Sequence, residues 1–187
     1  MTKKLNDIKT TTTSVIFSWP EDEPKPKAGS IELVDFLSKD VGWAKAVVTG
    51  PDSVIKPGDD ILLSRRVVSF DFEIDGKPLG NTSDNSCLAY KHNGELHATG
   101  KTLLYSWIEE KEEVSPSGII LIKKDSTKEL EPRKALVHAA GELTGVKKGD
   151  IVLLAFKSDA YKINIDGIEM MNAGCEEIIC YWSPSVQ

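Results

Sequence analysis

The sequence PGDDILL at residues 57–63 returns as KGDIVLL at residues 148–154. In both copies a Gly-Asp turn signal precedes an apolar run of strand length. Glycine supplies the positive φ that such a turn requires, and the aspartate can hydrogen-bond the turn backbone. Short apolar runs bounded by Gly, Asp or Pro are typical of buried β-strands. The pair therefore predicts a β fold that the chain contains twice.

Five further blocks recur in the same order around this pair. They are VIFSW at 15–19 and LLYSW at 103–107, AGSIEL at 28–33 and SGIIL at 117–121, KAVV at 45–48 and KALV at 134–137, FEIDG at 72–76 and INIDG at 163–167, and CLAY at 87–90 and IICY at 178–181. Ordered recurrence at nearly constant spacing indicates an internal duplication. We predict a flexible N-terminal segment at 1–13, a first domain at 14–92, a polar linker at 93–101 and a second domain at 102–187.

The secondary structure expected in each copy is β. An Asp-Gly hairpin signal lies between strand-like flanks at residues 74–76 and again at 165–167. No window holds a 3.6-residue apolar period, apart from one helical turn at residues 34–37. Closing a sheet on itself removes most of its exposed edges. We therefore expect an all-β chain of two tandem small β-barrels.

The composition excludes several classes of protein. The 187 residues carry 23 Lys and Arg against 29 Asp and Glu, a net charge of −6. Nucleic-acid binding needs a concentrated basic face, and a membrane span needs about 20 consecutive apolar residues. We expect neither a nucleic-acid partner nor a membrane. Three cysteines without framework spacing, and a beginning without a signal-peptide pattern, predict a cytoplasmic protein.

One stretch in each copy departs from the strand pattern, at residues 20–42 and 108–132. Each combines Pro, Ser and charged residues with one apolar island. Connections longer than about 15 residues are uncommon in compact domains and tend to be functional.

The island at residues 118–122 has two interpretations. It is either a further strand of the barrel or a docking loop for an apolar groove on a partner. Burying three aliphatic side chains contributes roughly 5–8 kcal/mol, at about 1.5–3 kcal/mol each. Ordering the loop opposes most of that gain, so such loops work best in several copies that act together.

The ordered blocks of the second copy resemble the GroES-type co-chaperonins. The resemblance rests on the loop with Gly-Ile-Ile-Leu, the Lys-Ala-Leu-Val block, the Lys-Gly-Asp turn, the Asp-Gly turn and a closing apolar strand. It spans nearly all of residues 102–183 and, more faintly, residues 14–92. It implies a tandem co-chaperonin with two GroES-like barrels, each carrying a long mobile loop.

In that family a glycine followed by three hydrophobic residues binds the apical domains of a GroEL-type chaperonin. The resemblance implies this role for Gly118, Ile119, Ile120 and Leu121, and in the first copy for Gly29, Ile31 and Leu33. It also implies a homo-oligomeric ring that caps the chaperonin cavity over an unfolded client protein. The ATP required is bound by the chaperonin, so the chain itself is expected to hold no cofactor and to be no enzyme.

The first copy departs from the family pattern at Glu32, which stands where an aliphatic residue is expected. Burying an unpaired carboxylate in an apolar groove is costly. The first loop therefore either docks with Glu32 turned to solvent or does not bind. The connections at residues 49–56 and 139–147 are also short for the roof hairpin of the family, which implies a dome with an open or enlarged top.

Other functions fit the sequence less well. His92, Glu95 and His97 lack the i, i+4 helical spacing of a zinc-binding histidine pair, and we predict neither a metal site nor catalytic residues. The dinucleotide-binding and nucleophile-elbow motifs are absent from the sequence. The main rival is a structural or assembly scaffold that keeps the fold without binding a chaperonin. A scaffold has no need to display residues 119–121 on a charged loop.

Overall fold

The computed structural model describes residues 8–20, 41–64, 72–108, 132–155 and 162–184. These ranges contain thirteen β-strands: β1 Ser14–Ser18, β2 Val41–Thr49, β3 Asp60–Ser64, β4 Phe72–Ile74, β5 Lys77–Ser83, β6 Cys87–His92, β7 Glu95–Ala98, β8 Thr102–Trp107, β9 Arg133–Ala140, β10 Ile151–Leu154, β11 Lys162–Ile165, β12 Ile168–Gly174 and β13 Ile178–Trp182. The only helical elements in these ranges are single 3₁₀ turns, at Asp84–Ser86 and Cys175–Glu177. The predicted all-β class is confirmed. In the described part of the chain, no helix has the length and apolar character to cross a membrane.

The strands form two antiparallel sheets with the same order. The first sheet runs β4-β5-β1-β2-β3-β6-β7 and the second runs β11-β12-β8-β9-β10-β13. The pairing of β1 with β2 shifts register between Ile16 and Phe17, and the pairing of β8 with β9 shifts register between Leu104 and Tyr105. Strands β1–β6, the first repeat, are thus reproduced in order by β8–β13, the second repeat.

The hydrogen bonds correct one part of the sequence alignment between the repeats. The amide of Gly58 donates to the Ala46 carbonyl at 2.8 Å, and the amide of Gly149 donates to the Val137 carbonyl at 2.8 Å. Ala46 therefore corresponds to Val137, whereas the matched Lys-Ala pairs had aligned it with Ala135. The sequence alignment paired residues of the same type. The structure instead pairs residues whose side chains face the core in both repeats.

The prediction of closed barrels is wrong for the strand pairings that the structure describes. The end strands β4 and β7 of the first sheet, and β11 and β13 of the second, do not pair with one another within the described ranges. Without closure, each sheet packs one face around its own core and part of the other face against the neighbouring repeat. The cores correspond position by position, with Val15, Phe17, Ile55 and Ile61 in the first and Leu103, Tyr105, Val146 and Val152 in the second.

The segment predicted as a linker, residues 93–101, carries a strand of the first sheet. Asn93 and Gly94 both have positive φ, at 53° and 82°, and form the tight turn between β6 and β7. Asn-Gly is a strong signal for such a hairpin. The polar, glycine-containing composition that suggested a linker therefore belongs to a hairpin turn and the strand that follows it.

A third apolar cluster, the junction core, joins the two repeats. It contains Leu62, Ala89 and Ala98 before β8 and Leu104, Ala139, Ile163, Ile165 and Met170 from the second repeat. All eight residues are at most 4% exposed. At its rim the Lys91 ammonium lies 2.8 Å from the Asp166 carboxylate, which is 71% exposed in its side chain, so this pair contributes little. The two repeats are held together mainly by apolar packing.

The Gly-Asp turns that opened the sequence comparison carry buried carboxylates. Asp150 accepts hydrogen bonds from the Lys147 amide at 2.9 Å and from the Ser183 hydroxyl at 2.7 Å. In the first repeat Asp59 accepts from the Lys56 amide at 2.8 Å, and its other oxygen lies 2.8 Å from His92 Nδ1. Each carboxylate thus ties a turn to the end of the strand that closes its repeat.

Replacing Ser183 by alanine should raise the pKa of the Asp150 carboxyl. Its pKa lies below the ordinary value, first because of the Ser183 hydroxyl and then because of the Lys147 amide. A carboxylate with a depressed pKa stabilises the fold above its unfolded pKa, and this contribution is lost as pH falls through the folded pKa. The Ser183→Ala variant should therefore lose stability at a higher pH than the unmodified chain.

Carboxyl chemical shifts followed by NMR during an acid titration measure this change. Ser86→Ala, at a serine that hydrogen-bonds another serine and no carboxylate, is the matched control and should leave the Asp150 titration unchanged. An unaltered pKa in Ser183→Ala would contradict the assignment of the hydroxyl as the main cause.

Candidate docking loops and the surfaces around them

The residues that the sequence analysis singled out for chaperonin binding lie outside the described ranges. They are Gly118, Ile119, Ile120, Leu121, Gly29, Ile31 and Leu33, and Glu32 lies outside as well. The structure does describe the strands from which the two stretches depart and to which they return.

In the second repeat the stretch connects β8 to β9. Trp107 ends β8 opposite Ala135 in β9, and the Ile108 amide donates to the Lys134 carbonyl at 3.1 Å. The Trp107 ring meets Tyr105 edge to face at 4.9 Å between centroids, and the Arg133 guanidinium lies 5.9 Å from the Trp107 ring centre. Both ends of the stretch are therefore fixed on neighbouring, hydrogen-bonded strands.

In the first repeat the corresponding stretch connects β1 to β2. Ser18 ends β1 opposite Lys45, and Trp19 meets Phe17 edge to face at 5.3 Å between ring centroids. Trp19 and Trp107, which occupy matching places in the sequence, both pack against the core of their own repeat. The two stretches leave the fold at equivalent positions.

The histidines do not assemble a metal site. His92 lies on β6 beside Asp59, while His97 lies on β7 and stacks on Tyr90 at 5.0 Å. Both therefore belong to sheet strands, although the predicted linker at 93–101 had included His97. Throughout the described ranges no group of three His, Cys, Asp or Glu side chains converges as metal ligands would.

One serine–histidine pair has the distance of a nucleophile and its base. Ser106 Oγ lies 2.8 Å from His138 Nε2, on the neighbouring strands β8 and β9. Burial and then the charge of Lys148 lower the pKa of His138, which favours the neutral ring. A catalytic triad also needs a third group that orients the histidine. Among the described residues, no third side chain is hydrogen-bonded or ion-paired to His138.

The three cysteines are free. Burial, followed by the nearby Asp84 carboxylate, raises the pKa of the Cys87 thiol to about 12. A thiol with such a pKa is protonated and unreactive at neutral pH. Cys175 is half-buried and Cys180 is exposed on β13.

Strand β13 carries an exposed apolar surface that the sequence does not predict. Ile179 is 54% exposed and Tyr181 is 50% exposed, and Trp182 is exposed too. Thr144 and Cys175 join residues 178–181 of this strand in lining an open depression. The block IICYW predicts a strand correctly. It gives no sign that the strand lies uncovered, because the equivalent residues of the first repeat are covered by β7.

Comparison with models of known protein families finds no match to this chain. Comparison with curated protein sequences finds none either.

Proposed function

We propose that this chain is a co-chaperonin of the GroES type that caps a GroEL-type chaperonin ring in an ATP-dependent manner. The two repeats are GroES-like domains in tandem, and the chains form a homo-oligomeric ring. The chaperonin binds the ATP, and the enclosed cavity holds an unfolded client protein. The chain itself performs no chemistry.

The observation that carries the proposal is the placement of the two unusual stretches. Residues 19–40 follow β1 and precede β2, and residues 108–132 follow β8 and precede β9. In each repeat, two adjacent, hydrogen-bonded strands anchor the stretch next to a tryptophan packed on the core. A rigid sheet that presents an apolar island on each long connection suits docking into a groove on a partner.

The two stretches are expected to bind with unequal strength. Ile119, Ile120 and Leu121 offer three consecutive aliphatic side chains, whereas Glu32 interrupts Ile31 and Leu33. An unpaired carboxylate resists burial in an apolar groove. The second repeat should therefore provide the principal contact with the chaperonin.

Size-exclusion co-elution with a GroEL-type chaperonin tests the proposal directly. The chain should co-elute when ATP is present and elute separately when ATP is absent. The double variant Ile119→Asp/Ile120→Asp should lose co-elution, because each charge would have to enter the apolar groove. Ile31→Asp/Leu33→Asp should have a smaller effect.

Ile168→Asp is the matched control, since Ile168 is 45% exposed on β12, in a hairpin remote in sequence from both stretches. This variant should co-elute as the unmodified chain does. If the unmodified chain fails to co-elute with several chaperonins in ATP, the co-chaperonin proposal fails and the assembly scaffold replaces it.

A further inference from the structure

The two repeats differ in what covers the edge of their closing strand. In the first repeat β7 pairs with β6, with Ala98 opposite Ala89 and His97 opposite Tyr90. In the second repeat the equivalent strand is β13, and within the described ranges it pairs only with β10. The open depression lined by residues 178–181 lies along this strand. An uncovered edge with exposed apolar side chains favours the addition of another strand.

A proline prevents β13 from covering its own edge by the turn that the first repeat uses. Asn93 has a φ of 53° in the tight turn between β6 and β7. Its counterpart after β13 is Pro184. The proline ring fixes φ near about −65°, so the same two-residue hairpin cannot form there. A strand added to this edge therefore does not come from an immediate hairpin.

The stretch between β8 and β9 starts and ends within reach of this edge. Leu154 of β10 pairs with Arg133, the first residue of β9, and also with the first residue of β13. Neighbouring strands lie about 4.8 Å apart, so a strand beside β13 would lie about 14 Å from β9 and about 19 Å from β8 across the sheet. Eleven residue steps separate Ile122 from Arg133, and eleven separate Ile108 from Ile119. Each connection can span about 36 Å when extended, which exceeds both distances.

The island at residues 118–122 has the composition of such a strand. Four aliphatic residues follow Gly118, and three of them are isoleucines. β-Branched side chains favour the extended conformation of a strand. A further strand is one of the two interpretations that the sequence allows for this island, and the edge of β13 is a place in the second sheet where a strand can add.

Charge favours one direction for a strand formed by the island. Lys123 and Lys124 follow the island directly. Glu176 and Glu177 lie in the 3₁₀ turn that directly precedes β13. An antiparallel strand brings the two lysines beside this turn, whereas a parallel strand would place them at the other end of β13, beyond Trp182. The antiparallel direction is also that of β7 on β6.

We infer that the island binds the edge of β13 of its own chain as an antiparallel strand. The register copies that of β7 on β6, with Ile122 opposite Cys180, Leu121 opposite Tyr181 and Ile120 opposite Trp182. Side chains of successive strand residues point to opposite faces. Ile120 and Ile122 therefore cover the face of β13 on which Cys180 lies, and Leu121 packs beside Tyr181 on the other face.

This contact regulates the proposed docking of the island, and its regulatory meaning rests on that proposed function. The residues that would enter the chaperonin groove are the ones held on β13, so an island makes one contact or the other. Tethering gives the island an effective concentration on the order of millimolar at β13, so a partner that presents several grooves together displaces it best. The first stretch has no equivalent site in its own repeat, because β7 already covers β6.

A disulfide within one chain tests the contact without a chaperonin. Opposed residues in antiparallel strands have Cα atoms about 4.5–5.5 Å apart, within the range that a disulfide spans. Ile122→Cys, in a Cys175→Ser background, places a thiol opposite Cys180. With oxidised glutathione, the two thiols lose two protons and two electrons to form the disulfide, and the oxidant is reduced to two glutathione thiols. Mass spectrometry of tryptic peptides should find residue 122 joined to Cys180, and non-reducing gels should show the mass of one chain.

The matched control is Leu121→Cys in the same background. Its side chain points to the opposite face of the added strand, so cross-linking to Cys180 should fall at least tenfold. Adding Cys180→Ala to Ile122→Cys should abolish the disulfide. The cross-linked fraction should not change when the protein is diluted, because both thiols belong to one chain.

Three outcomes would overturn the inference: no disulfide from Ile122→Cys, equal yields from the two variants, or disulfides that join separate chains. The result is separable from that of the co-elution experiment. If the disulfide forms and the unmodified chain does not co-elute with a chaperonin, the contact with β13 stands and the proposed function fails. If co-elution succeeds and the disulfide does not form, the proposed function stands and the contact with β13 is wrong.

Discussion

Replacing Leu62 by alanine should lower the free energy of unfolding by about 2–5 kcal/mol, the range for a buried leucine whose removal leaves a cavity. Leu62 is 1% exposed and lies in the junction core, where it packs with residues of both repeats. The cavity would open between two sheets that each have a rigid core of their own. Neither sheet can collapse fully into it, which places the expected loss toward the upper part of the range.

Urea unfolding followed by circular dichroism measures this loss. Leu143→Ala is the matched control, because Leu143 is 62% exposed and the same truncation should cost less than about 0.5 kcal/mol. The unmodified chain should unfold in a single transition, since the junction core couples the repeats. Two separate transitions, or equal losses in the two variants, would show that the repeats do not depend on this contact.

Replacing Gly141 by alanine should also lower the free energy of unfolding. A Cβ at this position would clash with the Gly100 carbonyl oxygen and lie 2.6 Å from the Thr99 carbonyl carbon. Both atoms belong to the backbone of the turn that leads from β7 to β8, so neither can rotate away. The Gly141 amide also donates to the Thr102 carbonyl at 2.8 Å, which holds the two segments together. Overpacking against backbone should cost about 1–3 kcal/mol or more.

Gly174→Ala provides the comparison for this change. The Cβ at residue 174 would meet the side chain of Glu176, which is exposed and can swing into solvent. The melting temperature of Gly174→Ala should therefore remain near that of the unmodified chain, while that of Gly141→Ala falls by several degrees. An equally stable Gly141→Ala would mean that the turn at residues 99–101 is free to move.

The sequence predicts much of this fold because its local signals agree with one another. The Gly-Asp turns, the Asp-Gly hairpins and the apolar blocks within the described ranges lie where the structure has turns and strands, while the blocks at 28–33 and 117–121 lie outside those ranges. The duplication was visible because equivalent turns need the same residues. Barrel closure was wrong because strand patterns report which faces are apolar, and they do not report whether a sheet edge or a neighbouring repeat covers that face.

The junction core and the covered edge of β6 could not be predicted from local patterns. Ala98 and Leu96 lie in a short, polar, glycine-containing stretch whose composition is typical of a linker. The structure shows that this stretch forms β7 beside β6. Ile163 and Ile165 share the junction core with Leu62, which lies about 100 residues earlier in the sequence, so no short sequence window contains both sides of this core. The docking residues 118–121 were inferred from composition and resemblance, and they stay a prediction.

Because two repeats are covalently joined in one polypeptide, an assembly of such chains is restricted in the number of repeats it can contain. Each chain contains two long connecting stretches, one with Gly-Ser-Ile-Glu-Leu and one with Gly-Ile-Ile-Leu. Any ring of such chains therefore contains an even number of repeats, and the two kinds of stretch alternate around it. The order of the ring's rotational symmetry axis is half the number of repeats in the ring. A partner ring with an odd number of equivalent sites cannot engage every repeat identically.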